Sequence, residues 1–214
     1  MTCPVSRYID VRITRPRLHR VRNISMAIRP IVMTGNPVLH RPAAKVTEFN
    51  DELRELIADM YETMDAAHGV GLAAPQIGVG LRIFTYVFDN EDGVAPRGVL
   101  VNPVLTTGKI SELAPDPDEE AEGCLSVPGY SWPLKRADWV RIAGQDENGD
   151  PVGFEANGWF ARVMQHEYDH LDGKLYVDRL NTRWGKKAKK AIKNEAWSTD
   201  STWLPGEDED PFGH

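Results

Sequence analysis

A chain of 214 residues lies between one and two usual domain lengths, and no low-complexity stretch divides its middle, so one globular domain with two tails is expected. Its 41% hydrophobic content supports a core that folds without disulfides or a structural metal, which leaves any metal a functional role. The formal net charge of −7 argues against a general nucleic-acid binder, DNA included, while the lack of an apolar run of about 18 residues or of a secretory signal argues against a membrane partner and for a reducing cytoplasmic setting in which Cys3 and Cys124 stay unpaired.

Residues 1–25 carry Arg7, Arg12, Arg15, Arg17, Arg20 and Arg22 against Asp10 alone, and show little apolar periodicity. This stretch reads as a non-structural leader. An Arg-rich, acid-poor leader also suits a transit peptide, and Met26 also looks like a second start. From Thr47 to His68, Leu53, Leu56, Ile57, Met60, Tyr61 and Met64 recur at three- and four-residue steps, with Thr47 as N-cap and Gly69 as C′ residue. A long amphipathic helix is expected there. Short β-rich runs follow at Arg82 to Phe88, Gly98 to Asn102, Trp139 to Ala143 and Val152 to Glu155, punctuated by Gly, Pro and Asp. Pro115 to Glu122 is acidic and reads as a surface loop leading to Cys124.

Asn157 to Asp172 returns to helical character, with Asn157 as cap, Phe160, Val163 and Met164 as apolar positions and Gly173 as terminator. A last helix is expected over Val177 to Ala196, carrying Arg183, Lys186, Lys187, Lys189, Lys190 and Lys193. The end, with Glu207, Asp208, Glu209 and Asp210, reads as a flexible acidic tail. The division is thus a leader over 1–25, a globular domain over 26–195 and a tail over 196–214. The fold class is α+β, with small antiparallel or mixed sheets packed around a central metal-binding helix.

Three segments carry chemistry. The first is His166-Glu167-Tyr168-Asp169-His170, an H-E-x-x-H pattern in which two imidazoles stand about 40° apart on one helix face and can share a metal. Glu167 follows the first imidazole directly and can lie beside a metal-bound water, where a general base belongs. Taken alone the pattern also occurs as ordinary surface chemistry. The second is Glu122-Gly123-Cys124-Leu125-Ser126, whose cysteine would complete a Cys-His-His set and leave one position open, as in catalytic sites. Its plainer reading is a buried cysteine acting as a small hydrophobe. The third is Gly69-Val70-Gly71-Leu72-Ala73-Ala74-Pro75-Gln76-Ile77-Gly78, a loop whose backbone can approach a ligand closely. It follows a helix and reaches Pro75 where a phosphate-binding helix would start, so it is not a dinucleotide fingerprint. Gln76 can donate to a developing oxyanion or simply tie the loop down.

In this order and spacing the three segments resemble the G-x-G-L-A-A-x-Q, E-G-C-L-S and Q-H-E-x-D-H-L signatures of bacterial peptide deformylases, matched at Gly69 to Gln76, Glu122 to Ser126 and Gln165 to Leu171. Pro30 to His40 resembles that family's N-terminal strand and turn, and the likeness runs from Met26 to about Lys193. The resemblance implies that Cys124, His166 and His170 bind the metal, that Glu167 is the acid–base residue, and that Gln76 with the Leu125 backbone N–H stabilises the oxyanion. It implies iron(II) as the native ion, with zinc, nickel or cobalt as substitutes, and formyl-methionyl nascent peptides as substrate, bound as an extended strand. Main-chain contacts are then expected near Val70, Gly71 and Gly123, with Val163 as a pocket wall and Glu122 near the substrate or orienting its loop. One departure follows the second motif. Some members carry an arginine there that contacts the peptide, whereas this chain reads Gly129-Tyr130-Ser131-Trp132-Pro133, with Lys135 and Arg136 the nearest basic residues.

Two other readings stand beside this one. A zinc peptidase also uses H-E-x-x-H but needs a ligand downstream, where Asp172, Asp178, Glu195 and His214 are poorly placed. A non-enzymatic metal-binding or adaptor protein would show a closed four-ligand site and no free base. The basic run Lys186 to Lys193 suits either ribosomal RNA contact or a solvated helix face.

Overall fold

The structure, a computed structural model, describes residues 27–88 and 97–208. The Arg-rich leader, Cys3, Glu209, Asp210 and His214 lie outside the described residues.

In chain order the strands are β1 (Ile31–Val32), β2 (Gly71–Ala73), β3 (Ile83–Val87), β4 (Arg97–Thr107), β5 (Ala121–Gly123), β6 (Ser131–Pro133), β7 (Trp139–Gln145), β8 (Pro151–Asn157) and β9 (Thr202–Trp203). The helices are α1 (Asp51–Ala66), α2 (Gly158–Leu171) and α3 (Thr182–Glu195). Five strands form one sheet in the order β2-β3-β4-β7-β8, and β1 with β9 and β5 with β6 form two-stranded sheets. Every named pair is antiparallel, and a parallel bridge joins Ala44 to Leu81. The architecture is therefore α+β with small sheets, as expected, and the pairing between strands is antiparallel rather than mixed.

The central strands are apolar on both faces because each face meets a helix. Ile83, Val99 and Val101 pack with Leu53, Ile57, Met60 and Met64 of α1. Phe84, Tyr86, Leu100, Val140 and Ile142 pack with Ala161, Val163, Met164 and Leu171 around α2. Register holds this partition, with Ile83 opposite Val101 and Phe84 opposite Leu100. A one-residue slip would exchange the two faces. A third cluster joins Cys124, Val127, Trp132, Leu134 and Tyr176 to Ala188 of α3. Thus α2 lies between the large sheet and the β5–β6 pair.

Several boundaries differ from the sequence reading. Helix α1 starts after Asn50, whose side chain accepts from Leu53 N–H at 3.0 Å, rather than after Thr47. The preceding segment is held extended, because Asn102 bonds both Val46 N–H and Val46 C=O and Ala44 bonds Gly80 and Arg82. The left-handed residue past the helix is His68, with φ of 51°, not Gly69. The single helix expected over Val177 to Ala196 is a 3₁₀ turn, Tyr176–Arg179, followed by α3. Asp178 caps Leu175 N–H and Asn181 caps Arg183 and Trp184 N–H, so two separate starts replace one. The stretch read as an acidic tail carries β9, with Trp203 only 5% exposed. No helix among the described residues is long and apolar enough to cross a membrane.

Candidate active site

Helix α2 brings His166 and His170 to one face, one turn apart, as the four-residue spacing requires. Their Nε2 atoms are 3.2 Å apart, and Cys124 Sγ, one residue past β5, lies 3.3 Å from His170 Nε2. The three ligand atoms all fall within 4.8 Å of one another and make a Cys-His-His group that can hold a metal ion. The donor set fits a divalent transition ion, since thiolate and imidazole both bind such ions at about 2.0–2.3 Å. His166 Nδ1 meets Glu122 Oε1 at 2.7 Å, which leaves Nε2 directed at the group.

Glu122 is 4% exposed, and both its oxygens are committed: Oε1 to His166 and Arg136, Oε2 to Arg136 and Arg162. It orients a ligand rather than facing the cleft for substrate. Burial alone would raise its pKa, but the Arg136 charge and the His166 hydrogen bond reverse this and hold the carboxyl well below the usual range. Arg136 also donates to Asp169 at 2.6 Å, and Asp169 in turn binds Arg179. Glu122, Arg136 and Asp169 thereby tie β5 to α2 through charges that are almost wholly buried, with Arg179 more exposed at the edge. Removing one partner of such a pair costs about 3–5 kcal/mol, because the other is left uncompensated.

Glu167 is 4% exposed, and its Oε2 has no hydrogen-bond partner among the described residues. Burial chiefly pushes its pKa up, to about 7. A carboxyl poised near neutrality suits proton transfer in both directions. Gly71 leaves it room, since a Cβ there would overlap Glu167 Oε1 and lie 2.7 Å from its carboxyl carbon. The absent side chain at 71 therefore has a reason beyond backbone access for a ligand. His170 is driven below its ordinary value by burial and by His166, so within the pair it is the neutral imidazole.

Gln76 is 1% exposed and sits in a 3₁₀ turn, Ala74–Ile77, directly after β2. Its Oε1 accepts from Ala73 N–H at 2.8 Å, which turns Nε2 towards Cys124 Sγ at 3.7 Å and Ser126 Oγ at 3.5 Å. Tying the loop and presenting a donor are thus one arrangement. Leu125 lines the same cleft, with Gly69, Val70, Gly71, Gly123 and Val163. Val163 also belongs to the core on α2, whereas Val70 is 49% exposed at the mouth. All eleven residues singled out from sequence therefore converge on one cleft or its immediate support.

Sequence reasoning missed others. Arg136, noted as a nearby basic residue, is 6% exposed and enclosed by Glu122 and Asp169, so it does not reach outward to a peptide. Arg162 binds Glu122 and the Leu134 carbonyl, and lies 5.2 Å from the ring of Trp159, which is 47% exposed at the rim. Three and four residues before His166, Val163 and Arg162 share its side of the helix; that spacing was the available signal for Arg162. For Trp159 and Arg136 no local pattern pointed to the cleft. The acids proposed as a peptidase's further ligand are engaged elsewhere: Asp172 with Arg82, Asp178 with Leu175 N–H, and Glu195 with Tyr130.

The sequence model of the polypeptide deformylase family matches residues 28–185. The chain is 54% identical over 197 residues to a peptide deformylase of Mycolicibacterium paratuberculosis, covering 88% of this chain and 100% of the relative. It is 53% identical over 191 residues to peptide deformylase 2 of Corynebacterium efficiens, covering 88% and 99%. Among solved structures, the peptide deformylase of Thermus thermophilus superposes with a TM-score of 0.67 at 40% identity, covering 78% of this chain and 95% of that one. That of Synechococcus elongatus, in complex with actinonin, gives 0.65 at 39%, covering 78% and 88%. This chain belongs to the polypeptide deformylase family, metal-dependent hydrolases that remove the formyl group from the N-terminus of nascent polypeptides.

Proposed function

We propose that Cys124, His166 and His170 hold the catalytic ion, with iron(II) as the native metal, and that Glu167 is the acid–base residue of deformylation. The observation that carries this reading is a buried carboxylate with a free oxygen next to three converging ligand atoms. When bound, the ion supplies Lewis-acid chemistry, acidifying water towards neutral pH and polarising a carbonyl. Glu167 Oε2 takes the proton of the attacking water as its oxygen adds to the formyl carbon. Charge then grows on the formyl oxygen, where Gln76 Nε2–H and Leu125 N–H donate to it; one such donor contributes about 3 kcal/mol. Glu167 returns the proton to the methionyl nitrogen as the C–N bond breaks, releasing formate and a free N-terminus.

The peptide lies as an extended strand between Val70–Gly71 and Gly123, with the methionine side chain against Val163. Support comes from β2, which is the edge of its sheet and offers one side of its backbone. We assign the enzyme to the cytoplasm, with a catalytic domain that runs past residue 195 to include β9, whose Trp203 lies in the α1 core. Arg183, Lys186, Lys187, Lys189, Lys190 and Lys193 are all exposed on α3, and we propose that the Lys186–Lys193 stretch contacts ribosomal RNA. Charge reversal of these lysines is expected to reduce co-sedimentation with ribosomes; unchanged co-sedimentation removes that contact.

Protein loaded anaerobically with iron(II) is expected to release formate from formyl-Met-Ala-Ser, and Glu167→Ala to lose this activity with its metal still bound. A metal-loaded wild type without formate release would sink the reading.

A further inference from the structure

The segment from Trp197 to Leu204 runs back over the body and seats on residues 31–36. Ile31 pairs with Trp203 and Val32 with Thr202; Met33 N–H donates to Ser201 C=O at 3.0 Å, and Asn36 Nδ2 to Thr199 C=O at 2.9 Å. The approach is close enough that a Cβ on Gly35 would overlap the Trp197 carbonyl and lie 2.5 Å from that of Ser198. A turn closed by Ser198 N–H to Ser201 Oγ, at 2.8 Å, aims β9 inward. Trp203 ends 5% exposed against the α1 core.

Its indole is not held by apolar contact alone. Nε1–H donates to the Leu125 carbonyl at 3.0 Å. The two neighbouring carbonyls are also held: Cys124 C=O by Val127 N–H at 2.8 Å, and Ser126 C=O by Thr34 N–H at 2.9 Å. Of these three anchors, the one on Cys124 is local and the one on Ser126 comes from Thr34, within the stretch on which Trp197–Leu204 seats. The anchor on Leu125 comes from the far end of the chain.

We propose that Trp203 is a positioning residue for deformylation: its indole N–H holds the Leu125–Ser126 peptide plane while Val127 N–H holds the Cys124–Leu125 plane that carries Leu125 N–H, and the two together keep Leu125 in place, so that this N–H meets the formyl oxygen in a fixed direction. This rests on the role given to Leu125 above. A donor stabilises developing charge most when it is already aimed and need not reorient. Such an interaction acts in the transition state, so losing its alignment lowers kcat and leaves KM nearly unchanged.

The test is Trp203→Phe in the full chain, which keeps an aromatic ring in the core and removes the donor. With metal per chain matched to wild type, kcat is expected to fall about tenfold and KM to stay within about twofold, less than the loss of a whole donor. Amide hydrogen exchange is expected to quicken over residues 124–126 and stay unchanged over α2. Benzothienylalanine at 203, which replaces N–H by sulfur in a ring of nearly the same shape, is expected to reproduce both effects and covers the case in which Trp203→Phe folds poorly. Unchanged kcat in the folded, metal-loaded variants overturns the proposal, as does a kcat loss that only tracks lost metal. A wild type without deformylase activity overturns the reading on which the proposal rests as well, so the two failures are separable.

Discussion

Glu167 and Gly71 form a pair in which one residue's missing side chain houses the other's carboxylate. The three atoms nearest a Cβ at 71 all belong to the Glu167 side chain, Cγ at 2.9 Å among them, and none to backbone, so Gly71→Ala is expected to fold and to push Glu167 aside. Displacing a reacting group by about 1 Å costs on the order of 100-fold. A fall in kcat of that order, with a melting temperature near wild type, is the expected result; unchanged kcat would deny Gly71 this role. Glu167 itself has a pKa raised from 4.5 to about 7 by burial, so the folded state prefers its neutral form. For a raised carboxyl, relative to an uncharged amide, no penalty exists below about pH 4.5, and stability declines as pH rises to about 7 and then levels. In protein stripped of metal by chelation, Glu167→Gln is expected to match wild type at low pH and gain up to about 3 kcal/mol above pH 7. Urea denaturation across that range measures it, and a difference that does not grow with pH contradicts it. His166, Glu167 and His170 were legible because one helix turn sets their relation. Arg136 and Trp203 were not, because they reach the site across 33 and 78 positions of sequence to Asp169 and Leu125.

At the scale of elements, sequence pattern located α1, α2 and four of the five strands of the large sheet, β2 having been read as part of a loop, while capping decided where the helices start. Both Thr47 and Asn50 are acceptable N-caps, and the choice fell to Asn50 because Asn102 and Gly80 hold residues 44–46 extended. Asn50→Ala is therefore expected to cost about 1 kcal/mol, and Thr47→Ala to stay within about 0.5 kcal/mol. Equal losses on chemical denaturation would show that the helix starts earlier. Short strands were harder to read. β5 and β6 have three residues each, too few for alternation to register, and the segment between them carries no tight-hairpin signal to announce the pairing of Glu122 with Trp132. β1 and β9 have two each and join opposite ends of the chain. The elements that set the site's geometry are largely of this kind.

Across the whole molecule, the cores on the two faces of the large sheet contain no proposed metal ligand, and Cys124 lies in the third. Composition had suggested a core able to fold without metal, and this distribution gives the reason: most apolar burial is independent of the site. The Arg136 bridge between Glu122 and Asp169 adds a second link from β5 to α2 that remains when the ion is gone. Chelation is accordingly expected to leave far-UV circular dichroism unchanged and to lower the melting temperature by roughly 5–10 °C. The size follows from linkage: free metal at about 100 times its dissociation constant stabilises by about 2.7 kcal/mol, and each kcal/mol shifts a domain of this size by about 2–4 °C. Loss of helical signal on chelation would instead make the ion structural, and would require all three cores to depend on a ligand set of which only Cys124 belongs to any of them.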